Sequence, residues 1–136
     1  MRDDVVVGAR ASIDQVFEVD AVETFAALSG DRNPIHLDAA SARAAGFERE
    51  IVHGALVSSL ISRLLGTILP GPGTVLLGQT FRFLKPVYPG DSLRANVEVT
   101  NVRTDKPVVT LRTWVETDEV VIDGEATVVV RDIAAS

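Results

Sequence analysis

The sequence contains no cysteine, and it is short of positive charge. Without cysteine, the chain can form neither a disulfide nor a thiolate-bound metal centre. Its 13 lysines and arginines against 19 aspartates and glutamates give a net charge of −6, and the chain has no basic run. Because nucleic acids and anionic membranes are bound by clustered positive charge, we expect neither a nucleic acid nor a membrane as partner.

No apolar run is long enough to cross a bilayer. The most apolar stretch, ALVSSLISRLLGTILP, contains three serines and Arg63 and falls short of the roughly 20 apolar residues that a transmembrane helix needs. The stretch MRDDVVVGAR has acidic residues followed by only three apolar ones, which is not the pattern of a secretory signal. We therefore expect a cytoplasmic protein.

The length and composition fit a single globular domain spanning residues 1–136. With 46% hydrophobic and 24% charged residues, the chain can bury a sizeable core and lacks the composition of a disordered protein. No internal repeat or low-complexity linker divides it. The glycine fingerprint of dinucleotide-binding proteins is missing as well, so the sequence offers no site for a nicotinamide or flavin cofactor.

The first half of the chain predicts one strand and two short helices. Polar and β-branched residues alternate over residues 10–19, which predicts a strand. The helix AVETFAALS follows, with Asp20 as N-cap, Glu23 completing a capping box and Gly30 in the left-handed position at its end. A second helix, AASARAA, is expected between a capping aspartate at position 38 and a glycine at position 46.

A very apolar segment and a β-rich region follow. From Gly54 to Leu69, apolar residues fall on nearly every side, which predicts a helix buried all round. Beyond it, β-branched residues between turn signals predict four strands, near residues 74–84, 92–103, 107–118 and 120–131. A sheet with one apolar face needs a cover, and the apolar helix can supply it. The predicted fold is α+β: a curved antiparallel sheet wrapped around a long central helix.

The stretch ALSGDRNPIH places Asp31 five positions before His36, one of the two histidines of the chain. Five fully extended residues span about 17 Å, but Gly30 and the pair Asn33–Pro34 favour a tight turn that brings the two side chains to one point. A carboxylate and an imidazole about 3 Å from one reacting group can act as general acid and base. Ordinary turn chemistry explains the same residues.

The segment IVHGAL places His53 and Gly54 where the buried helix should begin. Glycine lets a ligand approach the backbone, and the free amides of a first helical turn favour negative charge. The Gly54 amide can thus stabilise a developing enolate, although the simpler interpretation is that these residues only start a helix. A metal site of Asp31, His36, Asp38 and His53 is a further alternative, but it matches no standard ligand spacing.

Together, FAALSGDRNPIHLDAA and FEREIVHGAL closely resemble the (R)-specific enoyl-CoA hydratases of the MaoC-like family, which have the hot-dog fold. The hydratase motif, an aromatic residue and then Gly-Asp-x-Asn-Pro-aliphatic-His, is complete from Phe25 to His36. The resemblance covers essentially the whole chain. It implies reversible addition of water to a trans-2-enoyl-CoA to give an (R)-3-hydroxyacyl-CoA, without metal or other cofactor. It also implies a homodimer with its sites at the subunit interface.

The resemblance assigns roles to individual residues. The catalytic aspartate and histidine of the family fall on Asp31 and His36, which would share one water, and its oxyanion amide falls on Gly54. Asn33 would brace the loop. Three further residues match positions that line the acyl pocket in the family: Ser62, Leu65 and Val130. Plain core packing explains the last two equally well.

Three other functions compete with this one. A 3-hydroxyacyl-thioester dehydratase of the same fold acts on carrier-protein substrates, but an acidic carrier protein calls for a basic surface, and this acidic chain has only two lysines. A hot-dog thioesterase needs a base or nucleophile at the thioester carbon, and the complete hydratase motif speaks against it. A catalytically silent subunit would have lost Asp31 or His36, and both are present.

Overall fold

Five strands form one antiparallel sheet in a computed structural model that describes residues 1–133. In chain order the strands are β1 (Arg10–Val16), β2 (Thr74–Phe83), β3 (Ser92–Val102), β4 (Val108–Glu116) and β5 (Val120–Val130). Across the sheet they lie in the order β1-β3-β4-β5-β2, and every neighbouring pair is antiparallel. The four strands predicted after the apolar segment are confirmed, each to within two residues of its predicted ends.

Four helices lie between the first two strands of the chain. They are α1 (Val19–Ser29), α2 (Pro34–Leu37), α3 (Ala39–Ala44) and α4 (Gly54–Thr67). The longest, α4, contacts β1, β2, β3 and β4 and is the central helix of the fold. Three of the four match predicted helices, whereas α2 is a single turn inside the segment predicted as a tight turn. Within residues 1–133, no helix has the length and apolar character needed to span a membrane.

The start of α1 differs from the prediction. Strand β1 stops at Val16 because its partner β3 begins at Ser92, directly opposite. The helix then begins at Val19, with Glu18 at the N-cap position and no side-chain hydrogen bond to the cap. The predicted capping box beginning at Asp20 is therefore wrong, and Asp20 instead lies in the first turn of the helix.

The N-cap of α3 agrees with the prediction. The hydroxyl and the amide of Ser41 both donate to the carboxylate of Asp38, at 2.6 and 3.0 Å. These hydrogen bonds, that of the hydroxyl first, hold the pKa of the Asp38 carboxyl below its ordinary value. Gly46 follows the end of the helix with a φ of 96°, in the region that glycine adopts without strain.

The central helix α4 is buried on one face only. The buried face packs against the sheet, and each of its residues is at most 4% exposed: Val57, Leu60, Ile61, Leu64 and Leu65. Burying each such side chain stabilises the fold by about 2 kcal/mol. The opposite face, which carries Ser59, Ser62 and Arg63, is exposed. The prediction of a helix buried all round is thus wrong for the chain by itself, because one sheet covers one side of a helix.

Strand β2 forms an edge of the sheet and is apolar for an edge. Among residues 1–133 it pairs with β5 alone. Its three consecutive residues Val75, Leu76 and Leu77 are 48%, 48% and 58% exposed. Edge strands usually carry charges, proline or bulges that prevent pairing with another chain; β2 has a shift in register between Leu76 and Gly78 but no charged residue before Arg82. An apolar, exposed edge is instead typical of a surface that another chain covers.

Candidate active site

The loop between α1 and α2 is held by side chains that bond to its own backbone. Helix α1 ends at Gly30, whose φ of 79° lies in the left-handed region. The Asp31 carboxylate accepts the amide of Asn33 at 3.2 Å. The side-chain oxygen of Asn33 in turn accepts the amide of Ile35 at 3.3 Å and so caps α2. The predicted tight turn is therefore a turn continued by one turn of helix, and it brings Asp31 close to His36.

His36 presents one ring nitrogen to Asp31. The side chain lies on α2, and the residue is 8% exposed. Its Nδ1 is 2.8 Å from the carbonyl oxygen of Ile51. Since a carbonyl oxygen only accepts hydrogen bonds, Nδ1 carries the proton, and the neutral ring has its lone pair on Nε2. That Nε2 is 3.9 Å from Oδ2 of Asp31, whose side chain is 51% exposed.

The gap between Asp31 and His36 suits one water molecule. A separation of 3.9 Å is too long for a direct hydrogen bond, but a water about 2.8 Å from both atoms would have an angle of roughly 90° at its oxygen. Both Nε2 and Oδ2 are acceptors, so such a water would donate both of its protons to the protein. Its oxygen lone pairs would then point away from the two side chains, toward a third group.

His53 is a third member of this cluster. The residue is 1% exposed, and its ring stacks on that of His36 with the centroids 3.8 Å apart and the planes at 26°. Phe25 meets the His53 ring edge-on at 4.9 Å between centroids. Nε2 of His53 is 2.9 Å from the backbone carbonyl oxygen of Asp31, to which it donates. Sequence reasoning missed these contacts because no local pattern connects positions 31 and 53. The one signal was that both histidines of the chain lie within the two motifs.

The same cluster contains part of the metal alternative. Asp31, His36 and His53 have potential ligand atoms within 4.8 Å of one another, whereas Asp38 caps α3 instead. An imidazole binds a metal ion in the plane of its ring at about 2.0–2.1 Å. The rings of His36 and His53 are stacked, and Nε2 of His53, which donates to a backbone carbonyl, has no lone pair left for a metal ion. The geometry therefore favours the acid–base interpretation over a metal site.

The amide of Gly54 borders an apolar pocket. Gly54 is the first residue of α4, and within residues 1–133 its N–H has no hydrogen-bond acceptor. The pocket has a volume of about 390 Å³ and is also lined by Phe47, Val57, Phe83 and Ile122. A Cβ at position 54 would lie 2.7 Å from the Phe83 ring, so glycine permits this close approach. A helix N-terminal amide beside apolar surface can stabilise a negatively charged oxygen.

The residues predicted to line an acyl pocket fall in two places. Ser62 and Leu65 line one pocket of about 170 Å³, together with Leu76 and Val128. Val130 lines a separate pocket beside the first residues of the chain. The structure therefore brings Ser62 and Leu65 together, and it places Val128 rather than Val130 next to them.

Comparison with known proteins places the chain in a family. A family profile described as a MaoC like domain matches residues 7–121. The chain belongs to the MaoC-like family. This MaoC-like protein is 49% identical to the (R)-specific enoyl-CoA hydratase of Aeromonas caviae over 124 residues, which cover 90% of this chain and 92% of that protein.

The structural similarity extends over the same length. A solved structure of the (R)-hydratase from A. caviae involved in PHA biosynthesis superposes with a TM-score of 0.90 and 46% identity, covering 96% of this chain and all of that one.

A mitochondrial 3-hydroxyacyl-[acyl-carrier-protein] dehydratase of Arabidopsis thaliana is 38% identical over 124 residues, which cover 88% of this chain and 74% of that protein. The predicted family, the hot-dog fold and the hydro-lyase class are therefore confirmed.

Proposed function

We propose that this MaoC-like protein adds water reversibly to a trans-2-enoyl-CoA, giving an (R)-3-hydroxyacyl-CoA. The main support is the 3.9 Å gap between Nε2 of His36 and Oδ2 of Asp31, which fits the water that the reaction consumes. The amide of Gly54 supplies a donor for the thioester oxygen. Similarity to the (R)-specific enoyl-CoA hydratase of A. caviae supports the same reaction and the same product configuration.

In the proposed mechanism, Asp31 and His36 act on one water as general base and acid. The pair takes one proton from the water while its oxygen forms a bond to C3 of the substrate. The electron pair of the C2=C3 bond moves toward the thioester, whose oxygen becomes negative beside the Gly54 amide. The protonated pair then delivers one proton to C2. The product contains all the atoms of the water, and these steps need no electron transfer and no metal.

Asn33 supports the catalytic loop in this proposal. Its amide donates to Oδ1 of Asp31, and its side chain caps the short helix that carries His36. Asn33 thus links the backbone next to Asp31 with the helix that carries His36. Its own side chain does not need to touch the substrate for this role.

Two of the three predicted acyl-pocket residues fit the proposal together. Ser62 and Leu65 line the same pocket on α4, and we propose that the acyl chain lies against them. Leu65 is 3% exposed and packs in the core, whereas Ser62 lies on the exposed face of the helix. A second copy of the chain would close the open side of this pocket. The role of Val130 and the location in the cytoplasm stay predictions.

We also propose that the protein is a homodimer joined through the β2 edge. Val75, Leu76 and Leu77 are about half exposed there, and pairing of β2 with its copy would bury them and extend the sheet. Light scattering on the purified protein should give twice the chain mass of 14.5 kDa. Leu76→Lys should reduce that mass by charging the edge. A single-chain mass for the wild type at micromolar concentration would contradict the proposal.

A second candidate is dehydration of a 3-hydroxyacyl group held on an acyl carrier protein. It is supported by the 38% identity to the Arabidopsis mitochondrial dehydratase, which covers 74% of that protein. The reaction is the reverse of hydration on a different carrier, so the same pair of side chains serves both. The net charge of −6 argues against docking of an acidic carrier protein, which needs a complementary basic surface.

The experiment that tests the proposal mixes the purified protein with crotonyl-CoA and follows the loss of ultraviolet absorbance of the enoyl thioester. We expect rapid loss, and chiral analysis should identify the R alcohol. The same enoyl group on an acyl carrier protein should react more slowly. Faster reaction of the carrier-protein substrate would favour the second candidate, and no reaction with crotonyl or octenoyl thioesters would contradict both.

Gly54→Ala should lower kcat/KM for crotonyl-CoA by at least about tenfold, because displacing a reacting group by 1 Å can lower a rate by about 10²-fold. The added methyl would lie 2.7 Å from the Phe83 ring and crowd the position of the thioester oxygen. The fold should persist, because Phe83 is 58% exposed and can move aside. Gly66→Ala on the same helix, where a Cβ meets nothing within 4 Å, is the stability control and should not lower Tm. Unchanged kinetics for Gly54→Ala would argue against the oxyanion role.

A further inference from the structure

His53 connects the three parts of the proposed site. Its Nε2 is 2.9 Å from the backbone carbonyl oxygen of Asp31, and its ring lies 3.8 Å from that of His36 between centroids. The peptide bond between His53 and Gly54 carries the amide assigned to the thioester oxygen. Because His53 is 1% exposed and its Nε2 bonds to a carbonyl, its side chain does not reach the substrate.

We propose that His53 is a positioning residue for hydration, which holds the Asp31 loop, the ring of His36 and the Gly54 amide in fixed relation. The proposal rests on the hydration reaction proposed above. It requires a side chain that is flat enough to stack on an imidazole and that also carries an N–H at the far end of its ring. Histidine combines both properties, whereas phenylalanine has only the ring and glutamine only the donor.

The hydrogen bond to Asp31 selects one tautomer of His53. A carbonyl oxygen only accepts, so Nε2 carries the proton. Nδ1 is buried and has no hydrogen-bond partner in the part of the chain that the structure describes, and a proton there would be buried without an acceptor. The arrangement thus suits the Nε2–H tautomer of His53, opposite to the Nδ1–H tautomer that the Ile51 carbonyl selects at His36.

The stack restricts the ring of His36. To rotate, His36 would have to break its 2.8 Å hydrogen bond to the carbonyl of Ile51 and lose its contact with His53. Phe25, which meets His53 edge-on, restricts the second ring in turn. The lone pair on Nε2 of His36 is therefore kept directed at Asp31. The edge-on contact with His53 also gives Phe25, the aromatic residue at the start of the hydratase motif, a physical role.

The backbone of His53 starts the helix that presents the oxyanion amide. It is the N-cap of α4, with φ of −54° and ψ of 130°, and its carbonyl accepts the amide of Val57 at 3.1 Å. On the other side, the amide of Val52 donates to the carbonyl of Val87 at 2.7 Å. Hydrogen bonds therefore hold the backbone on both sides of His53. Because a single peptide bond joins His53 to Gly54, a displaced side chain at position 53 would also displace the Gly54 amide.

Two substitutions separate the hydrogen bond from the stack. His53→Phe keeps a ring against His36 and removes the donor to Asp31, whereas His53→Gln keeps an N–H donor of similar reach and removes the ring. We expect kcat for crotonyl-CoA to fall by about 10²-fold for His53→Phe and by about tenfold for His53→Gln, with KM within about threefold of wild type. The smaller loss of kcat in His53→Gln than in His53→Phe would distinguish positioning through the N–H donor from simple packing of the ring. Circular dichroism and a thermal melt establish that each variant is folded.

Thr113→Val is the matched control for a buried polar group outside the site. Thr113 lies on β4, is 0% exposed, and its Oγ1 also has no hydrogen-bond partner among residues 1–133. We expect its kcat to equal that of the wild type. The proposal is overturned if His53→Phe keeps kcat within threefold, if its loss is confined to KM, or if Thr113→Val loses as much. If His53→Phe does not fold, His53→Gln decides by the same criteria.

A readout that does not need turnover separates this proposal from the hydration reaction. The chain has two histidines, so the nitrogen NMR signals of the two rings are assigned by recording the His53→Gln variant. Wild type should show one Nε2–H and one Nδ1–H ring, and His53→Phe should broaden or shift the His36 signals. An unchanged His36 ring would overturn the positioning role. If these changes occur while the wild type hydrates no enoyl thioester, the hydration proposal fails and the anchoring of His36 stands.

Discussion

Asp31→Asn is expected to lower kcat for crotonyl-CoA hydration by about 10²–10⁴-fold, the usual contribution of a general acid–base group. The amide of asparagine cannot take a proton from water. Its oxygen can still accept the amide of Asn33, which lies 3.2 Å from Oδ1 of the carboxylate, so the loop should persist. Steady-state kinetics measures the loss of kcat, and a thermal melt establishes that the fold is retained.

Asp20→Asn is the matched control for the removal of one negative charge. Asp20 is also an exposed aspartate, but it lies in the first turn of α1, at the opposite end of that helix from Asp31, and its Oδ1 accepts the amide of Ala21 at 2.9 Å. Neutralising it should leave kcat within about twofold of wild type, as is usual for a surface substitution away from a site. The role given to Asp31 would be wrong if Asp31→Asn kept its activity within a few-fold of wild type.

His36→Ala is expected to lower kcat by a similar factor, about 10²–10⁴-fold. The substitution removes the basic Nε2, but it also leaves the carbonyl of Ile51 without its donor and takes away the ring on which His53 stacks. His36→Asn separates these effects, because its side-chain amide can donate to Ile51 while no atom reaches the position of Nε2. We expect asparagine to raise Tm relative to alanine without raising kcat. Recovery of kcat in His36→Asn would exclude a role of Nε2 in proton transfer.

The double variant of Asp31→Asn and His36→Ala tests whether the two side chains share one water. If they do, either single change already removes most of the activation, and the second change should add little. A double-mutant cycle on kcat measures this coupling directly. Fully additive losses on a logarithmic scale would show that the two residues act in separate steps, contrary to the 3.9 Å geometry.

Elements with strong local signals were predicted well from the sequence. The four strands after the central helix follow from alternating β-branched residues between turn segments, and their observed ends lie within two residues of the predicted ones. The end of α1 at Gly30 and the cap of α3 at Asp38 are also local, since each depends on one residue and the backbone next to it. The motif from Phe25 to His36 likewise identified the family, which the comparisons confirm.

The errors occur where a distant part of the chain competes with a local preference. Asp20 has a side chain suited to an N-cap. However, β1 ends early, at the residue opposite Ser92 on β3, so α1 begins before Asp20 is reached. The apolar composition of α4 predicted burial on every side, whereas the sheet covers one face and leaves Ser59 and Ser62 exposed. Neither outcome can be deduced from a window of neighbouring residues.

The sequence by itself determined the family, the order of the elements and the identity of Asp31, His36 and Gly54 as candidates, because these rest on residue types and short spacings. The tertiary structure decided how they meet. Only the fold brings the ring of His53 onto His36 and its Nε2 to the carbonyl of Asp31, and only the fold presses Phe83 against Gly54. Such contacts join segments many residues apart, so they depend on packing that local propensity does not encode.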